Sequence, residues 1–305
     1  MKRKLARFLV FISVVVVILV LPAVFKDKSH PPLVGPDLSE VDHAEIFFEN
    51  NDDNLRLSGM LILPEGQGPF PTAIIIHGSG TSRRNSVWYL SVAQHLQQQG
   101  IAVLLPDKRG SVKSEGEWLG TSFEALATDT IAAVEFVKQQ QEFEYSTIGL
   151  IGMSQGGWIA PIVASKSDDV SFVVSMSGAA VTTEEQLFHE EIYNIAPYTY
   201  QFMARLLAPL SARVLMKQDF FIPTAGFDPI RYWKDVHVPV FVALGEGDEN
   251  VPVDASVQRL RDNDLDHFII RIYPDGGHGI VDNETKKLNA DYLNDLVEFI
   301  QEVQQ

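Results

Sequence analysis

The chain has 305 residues, no cysteine, 46% hydrophobic residues and a formal net charge of −16. That length suits one domain of roughly 260–270 residues plus a tail. Without cysteine there is no disulfide framework and no thiolate metal site, and the acidic balance argues against nucleic acid or an anionic membrane surface as the main ligand of the folded part. The charge is also unevenly spread: residues 1–28 hold six Lys or Arg and one acidic residue, which leaves 18 basic against 39 acidic residues downstream, a net of −21.

Met1-Lys2-Arg3-Lys4-Leu5-Ala6-Arg7 is strongly basic, and the next eighteen residues, 8–25, are apolar apart from Ser13. A membrane span needs roughly 17–25 such residues. No clean A-x-A cleavage pattern follows, so residues 1–28 read as an uncleaved signal anchor, with a cleaved signal peptide as the alternative. Basic residues ahead of the span place the amino terminus in the cytoplasm. The rest of the chain is then expected outside it, periplasmic or extracellular, or secreted if the segment is cut. Residues 29–43, with Pro31-Pro32 and Pro36, read as an extended linker.

The domain is expected over 44–305. It opens with two antiparallel strands, 44–49 and 55–63, joined by the turn-rich Asn50-Asn51-Asp52-Asp53-Asn54. Apolar strand-like runs then alternate with helix-like segments. A strand over 74–77 leads to a helix near 87–99, one over 101–105 to a helix near 123–140, and Thr147-Ile148-Gly149-Leu150-Ile151 to a small-residue helical run beginning at Gly156. Strands over 170–176, 238–244 and 267–273 follow, with a helical stretch near 253–262. This alternation implies an α/β domain with a mostly parallel central sheet covered by helices on both faces. Functional groups are expected at the carboxyl ends of its strands.

Residues 179–236 break the alternation and read as a small helical cap. Within it Phe202, Met203, Leu206, Leu207, Leu210, Val214 and Leu215 recur at helical spacing. Such a face either packs the cap onto the sheet or lines an acyl-binding pocket. Glu184-Glu185 and Glu190-Glu191 read as a solvated face, or as a site for a substrate ammonium.

Strand, then Gly152-Met153-Ser154-Gln155-Gly156, then helix is the setting of a nucleophile elbow. The serine takes a strained backbone there, and the flanking glycines remove Cβ atoms that would clash. An elbow serine needs a base, and the base needs a group to orient it. Asp248 lies in the polar loop after the strand 238–244, between Glu246 and Glu249; the shorter aspartate just past the turn is the better candidate. His278 lies among Gly276, Gly277 and Gly279 in the loop after 267–273, a poor place for a packing residue. His77-Gly78-Ser79-Gly80 follows another buried strand. Its Ser79 N–H, with Gly80 as the neighbouring choice, can converge with the Gln155 N–H on a developing oxyanion, while His77 is expected to hydrogen-bond within the loop.

These separated motifs, together with the hairpin over 55–64 and Asp107-Lys108-Arg109-Gly110, resemble the serine-nucleophile branch of the α/β-hydrolase superfamily, in particular bacterial esterases and serine-aminopeptidase-like hydrolases. The resemblance runs from about residue 45 to the carboxyl terminus, and the chain order Ser, Asp, His is that of this fold. It implies Ser154 as nucleophile, Asp248 as acid and His278 as base, with Asp107 and Arg109 pinning the turn after the fourth strand. The family commonly carries a second glycine two residues after Gly110, where this chain has Val112. The expected activity is hydrolysis of a small carboxylic ester, or of a short peptide, without cofactor or metal. Acyl transfer to an alcohol or amine, or a non-catalytic binding protein on the same fold, are the remaining alternatives.

Overall fold

The computed structural model describes residues 32–304 apart from residue 142; the apolar segment 8–25 and its basic flank lie outside them. No helix among the described residues is long and apolar enough to cross a membrane. Eight strands, β1 (Ala44–Asn50), β2 (Leu55–Ile62), β3 (Phe70–Ile76), β4 (Ala102–Pro106), β5 (Tyr145–Met153), β6 (Phe172–Met176), β7 (Val240–Gly245) and β8 (Ile269–Tyr273), form one sheet in the order β1-β2-β4-β3-β5-β6-β7-β8. The first two pairings, β1 with β2 and β2 with β4, are antiparallel, and every later one is parallel. This is the α/β-hydrolase fold expected from the sequence.

The helices are α1 (Val87–Gln98), α2 (Phe123–Lys138), α3 (Gly156–Ala164), α4 (Thr183–Ile195), α5 (Gln201–Leu215), α6 (Ile230–Trp233), α7 (Val253–Arg261) and α8 (Ala290–Glu302). The inner strands β3, β4, β6 and β7 are almost wholly apolar because both of their faces are buried, whereas the edge strands β1 and β8 carry charged, exposed residues such as Glu45, Glu49 and Arg271. Along β3, Ala73 and Ile75 enter one core, which includes Leu90 and Leu96 of α1 and Tyr292 and Leu296 of α8. Ile74 and Ile76 enter the other, with Val134 of α2 and Ile159 and Ile162 of α3. Alternate side chains of a strand point to opposite faces, so a parallel strand between two helical layers has no polar side to offer.

The described part of the expected linker is not extended throughout. Asp37 and Glu40 form a capping box around a 3₁₀ turn at Leu38–Glu40, Val41 is buried, and Gln94 and Gln97 of α1 donate to the carbonyls of Glu40 and Asp42.

The cap lies between β6 and β7. Its first helix, α4, starts on a capping box of Thr182 and Glu185, which satisfies two otherwise free donors. The amphipathic segment forms α5, but with the opposite side buried from the one its large residues suggest. Ala204, Ala208 and Ala212, four apart, are buried where α5 meets α4. Phe202, Leu206, Leu210 and Val214 are 64%, 66%, 58% and 61% exposed, and Leu207 is exposed as well. They neither pack the cap onto the sheet nor line the cavities beside Ser154. The alanine stripe lets two helix backbones come close, and ridges of small residues pack where large ones would hold the axes apart.

The turn after β4 is bound from all sides. Asp107 accepts from Ser58 Oγ at 2.6 Å and from Arg84 Nη2 at 2.6 Å, and Ser114 Oγ donates to its carbonyl at 2.8 Å. Arg109 reaches Asp129 of α2 at 2.7 Å and Asp53 at 2.6 Å. Gly110 N donates to Glu115 O at 2.9 Å, which closes the loop. Inside it Val112 holds a φ of 55°, the left-handed conformation that a glycine takes without strain. The loop thus keeps its glycine-type shape although a β-branched residue stands there. The left-handed region costs a side-chain-bearing residue roughly 1–2 kcal/mol, partly offset by the extra freedom of glycine in the unfolded chain. Val112→Gly is therefore expected to raise the thermal midpoint by about 2–4 °C. A lower midpoint in a differential scanning experiment would show that the exposed valine makes up its strain elsewhere.

Candidate active site

The elbow forms where β5 runs into α3. Ser154 has φ 53°, its N–H donates to Met176 O at 2.8 Å, and its carbonyl accepts from Gly157 N at 2.8 Å. The kink demands glycine on both sides. A Cβ on Gly152 would lie 2.3 Å from the Gly156 carbonyl oxygen, and one on Gly156 would lie 2.2 Å from the Ile76 carbonyl oxygen. The neighbouring strand β3 therefore presses directly on the turn.

Two further loops meet at the same rim. Glu246 N donates to Tyr273 O at 2.8 Å, and Gly277 N donates to Glu246 O at 3.0 Å. This ties the loop after β7 to the loop after β8. A Cβ on Gly245 would lie 2.0 Å from Gly277 O. Trp88 of α1 braces the second loop, donating from Nε1 to Gly279 O at 3.1 Å.

These contacts bring Ser154, Asp248 and His278 together. Asp248 is 3% exposed. Its Oδ1 accepts from Asn250 N at 2.7 Å and Val251 N at 2.9 Å, and its Oδ2 lies 2.8 Å from His278 Nδ1. An ionised carboxylate can only accept, so Nδ1 carries the proton and Nε2 is left with its lone pair. Ser154 Oγ, 2.9 Å from Nε2, donates to it. An imidazole held in that tautomer can take the serine proton as Oγ attacks a carbonyl carbon.

The loop after β3 passes over the serine: a Cβ on Gly78 would lie 3.2 Å from Ser154 Cβ. Ser79 and Gln155 line the same cavity as Ser154, and neither backbone N–H donates to another group among the described residues. Gly78 N is taken, donating to Tyr89 OH at 2.8 Å.

His77 does not bond within its loop. Its ring is buried edge-on to Tyr89 at 4.3 Å with Nδ1 unpartnered. Burial, then the nearby Lys108 ammonium, push it down to about 3, so it stays neutral.

Two chambers open from Ser154. One, of about 390 Å³, is mostly apolar and includes Trp118, Phe123, Trp158, Leu187 and Phe221. The other, of about 350 Å³, is polar, with Thr81, Arg83, Ser86, Asn250 and His278. Glu190 and Gln186 of α4 border both. Burial raises the Glu190 carboxyl above its ordinary value, and the neighbouring Glu191 and Asp248 add to this. The other cap glutamates are engaged: Glu184 accepts from Gly226 N, Glu185 caps α4, and Glu191 is buried against Ser211 and Asn194. Among the described residues no group of three or more His, Cys, Asp or Glu side chains forms a metal-ligating cluster.

The sequence marks Glu190 only as one of four cap glutamates open to a substrate ammonium, and it does not mark Tyr89 or Lys108 individually. Burial lowers the Lys108 ammonium to about 7. The available signal for Lys108 is its place two residues past the apolar strand 102–106, in the loop at the sheet's carboxyl edge. No local pattern marks Tyr89.

Fold and site together define a serine hydrolase of the α/β-hydrolase fold. The chain belongs to the prolyl oligopeptidase family, whose sequence profile matches residues 86–305. It is 24% identical over 265 residues to the esterase EstD of Thermotoga maritima, an overlap covering 81% of this chain and 63% of that protein. It is 25% identical over 261 residues to the acylamino-acid-releasing enzyme of Homo sapiens, covering 82% of this chain and 33% of that one. The chain thus spans less than two thirds of the length of these relatives. An esterase of Pyrococcus furiosus has a similar fold, with a TM-score of 0.68 at 21% identity over 92% of this chain and all of that one.

Gly156→Ala tests how closely the elbow is packed. The backbone contact cannot be relieved without moving β3, and the urea midpoint is expected to fall by the equivalent of about 3 kcal/mol. An unchanged midpoint would mean that β3 gives way easily.

Proposed function

We propose that the protein hydrolyses carboxylic esters by acyl transfer to Ser154, with His278 as general base and acid and Asp248 as the group that orients it. The hydrogen-bonded series Asp248–His278–Ser154, at 2.8 and 2.9 Å, is the observation that carries this reading. In the first step the Ser154 hydroxyl proton passes to His278 Nε2 while Oγ bonds to the ester carbonyl carbon. The resulting oxyanion accepts from the Ser79 and Gln155 N–H groups, a contribution of about 3 kcal/mol per donor. His278 then gives its proton to the leaving alcohol. Water enters and gives a proton to the same nitrogen as its oxygen bonds to the acyl carbon; the bond from that carbon to Ser154 Oγ then breaks, Oγ takes the proton back from His278, and the acid leaves. The apolar chamber suits the acyl group and the polar chamber the leaving group. An esterase among the relatives is consistent with this assignment.

We further propose that the reaction takes place outside the cytoplasm, on a domain tethered by the apolar segment 8–25. The support is the basic run ahead of that segment.

Cleavage of short peptides with a free amino terminus is the second reading, and Glu190 favours it, since it brings a carboxyl to the border of both chambers beside Ser154. Membership of the prolyl oligopeptidase family is consistent with peptidase chemistry.

Ser154→Ala is expected to lower turnover of a short-chain p-nitrophenyl ester on the order of 10⁴-fold or more with the fold intact by circular dichroism; full retained activity would sink the assignment. Glu190→Gln separates the two substrate classes. Its KM should rise for aminoacyl amides with a free amino group, and stay unchanged for p-nitrophenyl esters, only if the protein is a peptidase. Equal kinetics on both substrates would leave Glu190 without that role.

A further inference from the structure

Lys108 is a buried amine that the reaction above leaves unused, and it carries a charge only below about pH 7. Its side chain makes no ion pair among the described residues; the carboxylates around the turn pair elsewhere, Asp107 with Arg84 and Ser58, Asp129 with Arg109. An ammonium buried without a counter-ion is costly, and hydrogen bonds must satisfy it. Here its donors go to two places. Lys108 Nζ donates to the carbonyl oxygen of Gly78 and, at 3.0 Å, to Oε1 of Gln155, while the Trp118 ring covers it with its centroid at 5.1 Å.

The choice of acceptors matters. The Gly78 carbonyl and the Ser79 N–H belong to one peptide unit, planar and trans, so they point in opposite directions. Fixing the oxygen on the Lys108 side fixes the direction of the N–H on the other. A carbonyl that accepts from an ammonium also polarises its own peptide and strengthens the N–H as a donor. The second acceptor, Gln155, supplies the other N–H of the proposed oxyanion hole. The two donors come from loops 76 residues apart in sequence (Ser79 and Gln155), and no described hydrogen bond joins the two loops directly. Tyr89 holds the Gly78 N–H from the far side, so this peptide neighbourhood is gripped at both ends.

We propose that Lys108 is a positioning residue for catalysis: by bridging the Gly78 carbonyl and the Gln155 side chain it aims the Ser79 N–H and holds the two oxyanion donors at one separation. This rests on the ester-hydrolase reading of Ser154. Lys108 does not touch the substrate; its effect passes through the peptide it orients. Its contribution therefore belongs to the transition state, where negative charge develops on the carbonyl oxygen, and not to the bound ester.

The test uses the full chain and Lys108→Met, which keeps the length of the side chain and removes its donors. On p-nitrophenyl butyrate, kcat is expected to fall about 10–100-fold with KM within about threefold, on the scale of weakening one oxyanion donor. Affinity for an aryl trifluoromethyl ketone, which takes Ser154 Oγ onto its carbonyl carbon and becomes a hemiketal oxyanion, should fall by the same factor as kcat/KM. The thermal midpoint should not drop, because what leaves is a buried amine without a counter-ion. Gln155→Met removes the other end of the bridge, and the double variant should lose no more than the stronger single one. Wild-type kcat and ketone affinity in Lys108→Met, or losses that multiply in the double variant, would overturn the proposal. If Lys108→Met does not fold, Gln155→Met alone decides: a kcat loss at constant KM supports the bridge, and no loss removes it. Fluorophosphonate labelling of Ser154 in the wild type separates the two levels, since a wild type that does not label overturns the hydrolase reading itself, and the role of Lys108 falls with it.

Discussion

The site depends on how closely backbone can approach backbone where β3, β5, β7 and β8 end. At the elbow the Gly156 Cα faces the Ile76 carbonyl with no room for a methyl group. At the far rim Gly245 meets the Gly277 carbonyl in the same way. These two approaches fix the loops that carry Ser154, Asp248 and His278, which come from segments up to 124 residues apart. A side chain at either point would open the rim and lengthen the hydrogen bonds between the three. The φ of 53° at Ser154 is strain of the kind tolerated at functional sites, held in place by the surrounding sheet.

Burial makes those hydrogen bonds matter. The Asp248 carboxylate is out of water, yet two backbone N–H groups and the imidazole satisfy its oxygens at the end of the series. Behind the oxyanion loop the same low-dielectric setting acts on cations and neutral rings. It keeps His77 neutral and leaves Lys108 with only neutral acceptors. Behind the peptide that faces the serine the chain thus places a buried amine, cationic only below about pH 7, whose acceptors are all neutral.

Much of this was legible in the sequence, and where it was not there is a physical reason. The inner strands announce themselves as nearly unbroken apolar runs because both of their faces are buried. The elbow was readable because strand, turn and helix each left a local mark around Gly152-Met153-Ser154-Gln155-Gly156. His278 stood out because glycines on both sides make poor packing surroundings. The cap was harder. Helical spacing of Phe202, Leu206, Leu210 and Val214 shows that a face exists but not which side is buried, and Ala204, Ala208 and Ala212 won because small residues let α4 and α5 come together. The turn after β4 was legible through Asp107 and Arg109, yet the residue between them, Lys108, needs coordinates before its acceptors can be named. Val112 was visible as a departure from the family pattern, but only the backbone shows that the loop keeps the glycine conformation regardless.

The central claim is that Ser154 becomes covalently acylated, and the most direct measurement is acid-quenched peptide mass spectrometry after mixing the protein with a p-nitrophenyl ester. The account predicts one acyl group per chain, located on the peptide that contains Ser154 and formed with a burst of about one equivalent of p-nitrophenolate. Turnover of the ester with no acyl group on that peptide, or with the acyl group on another residue, would contradict it.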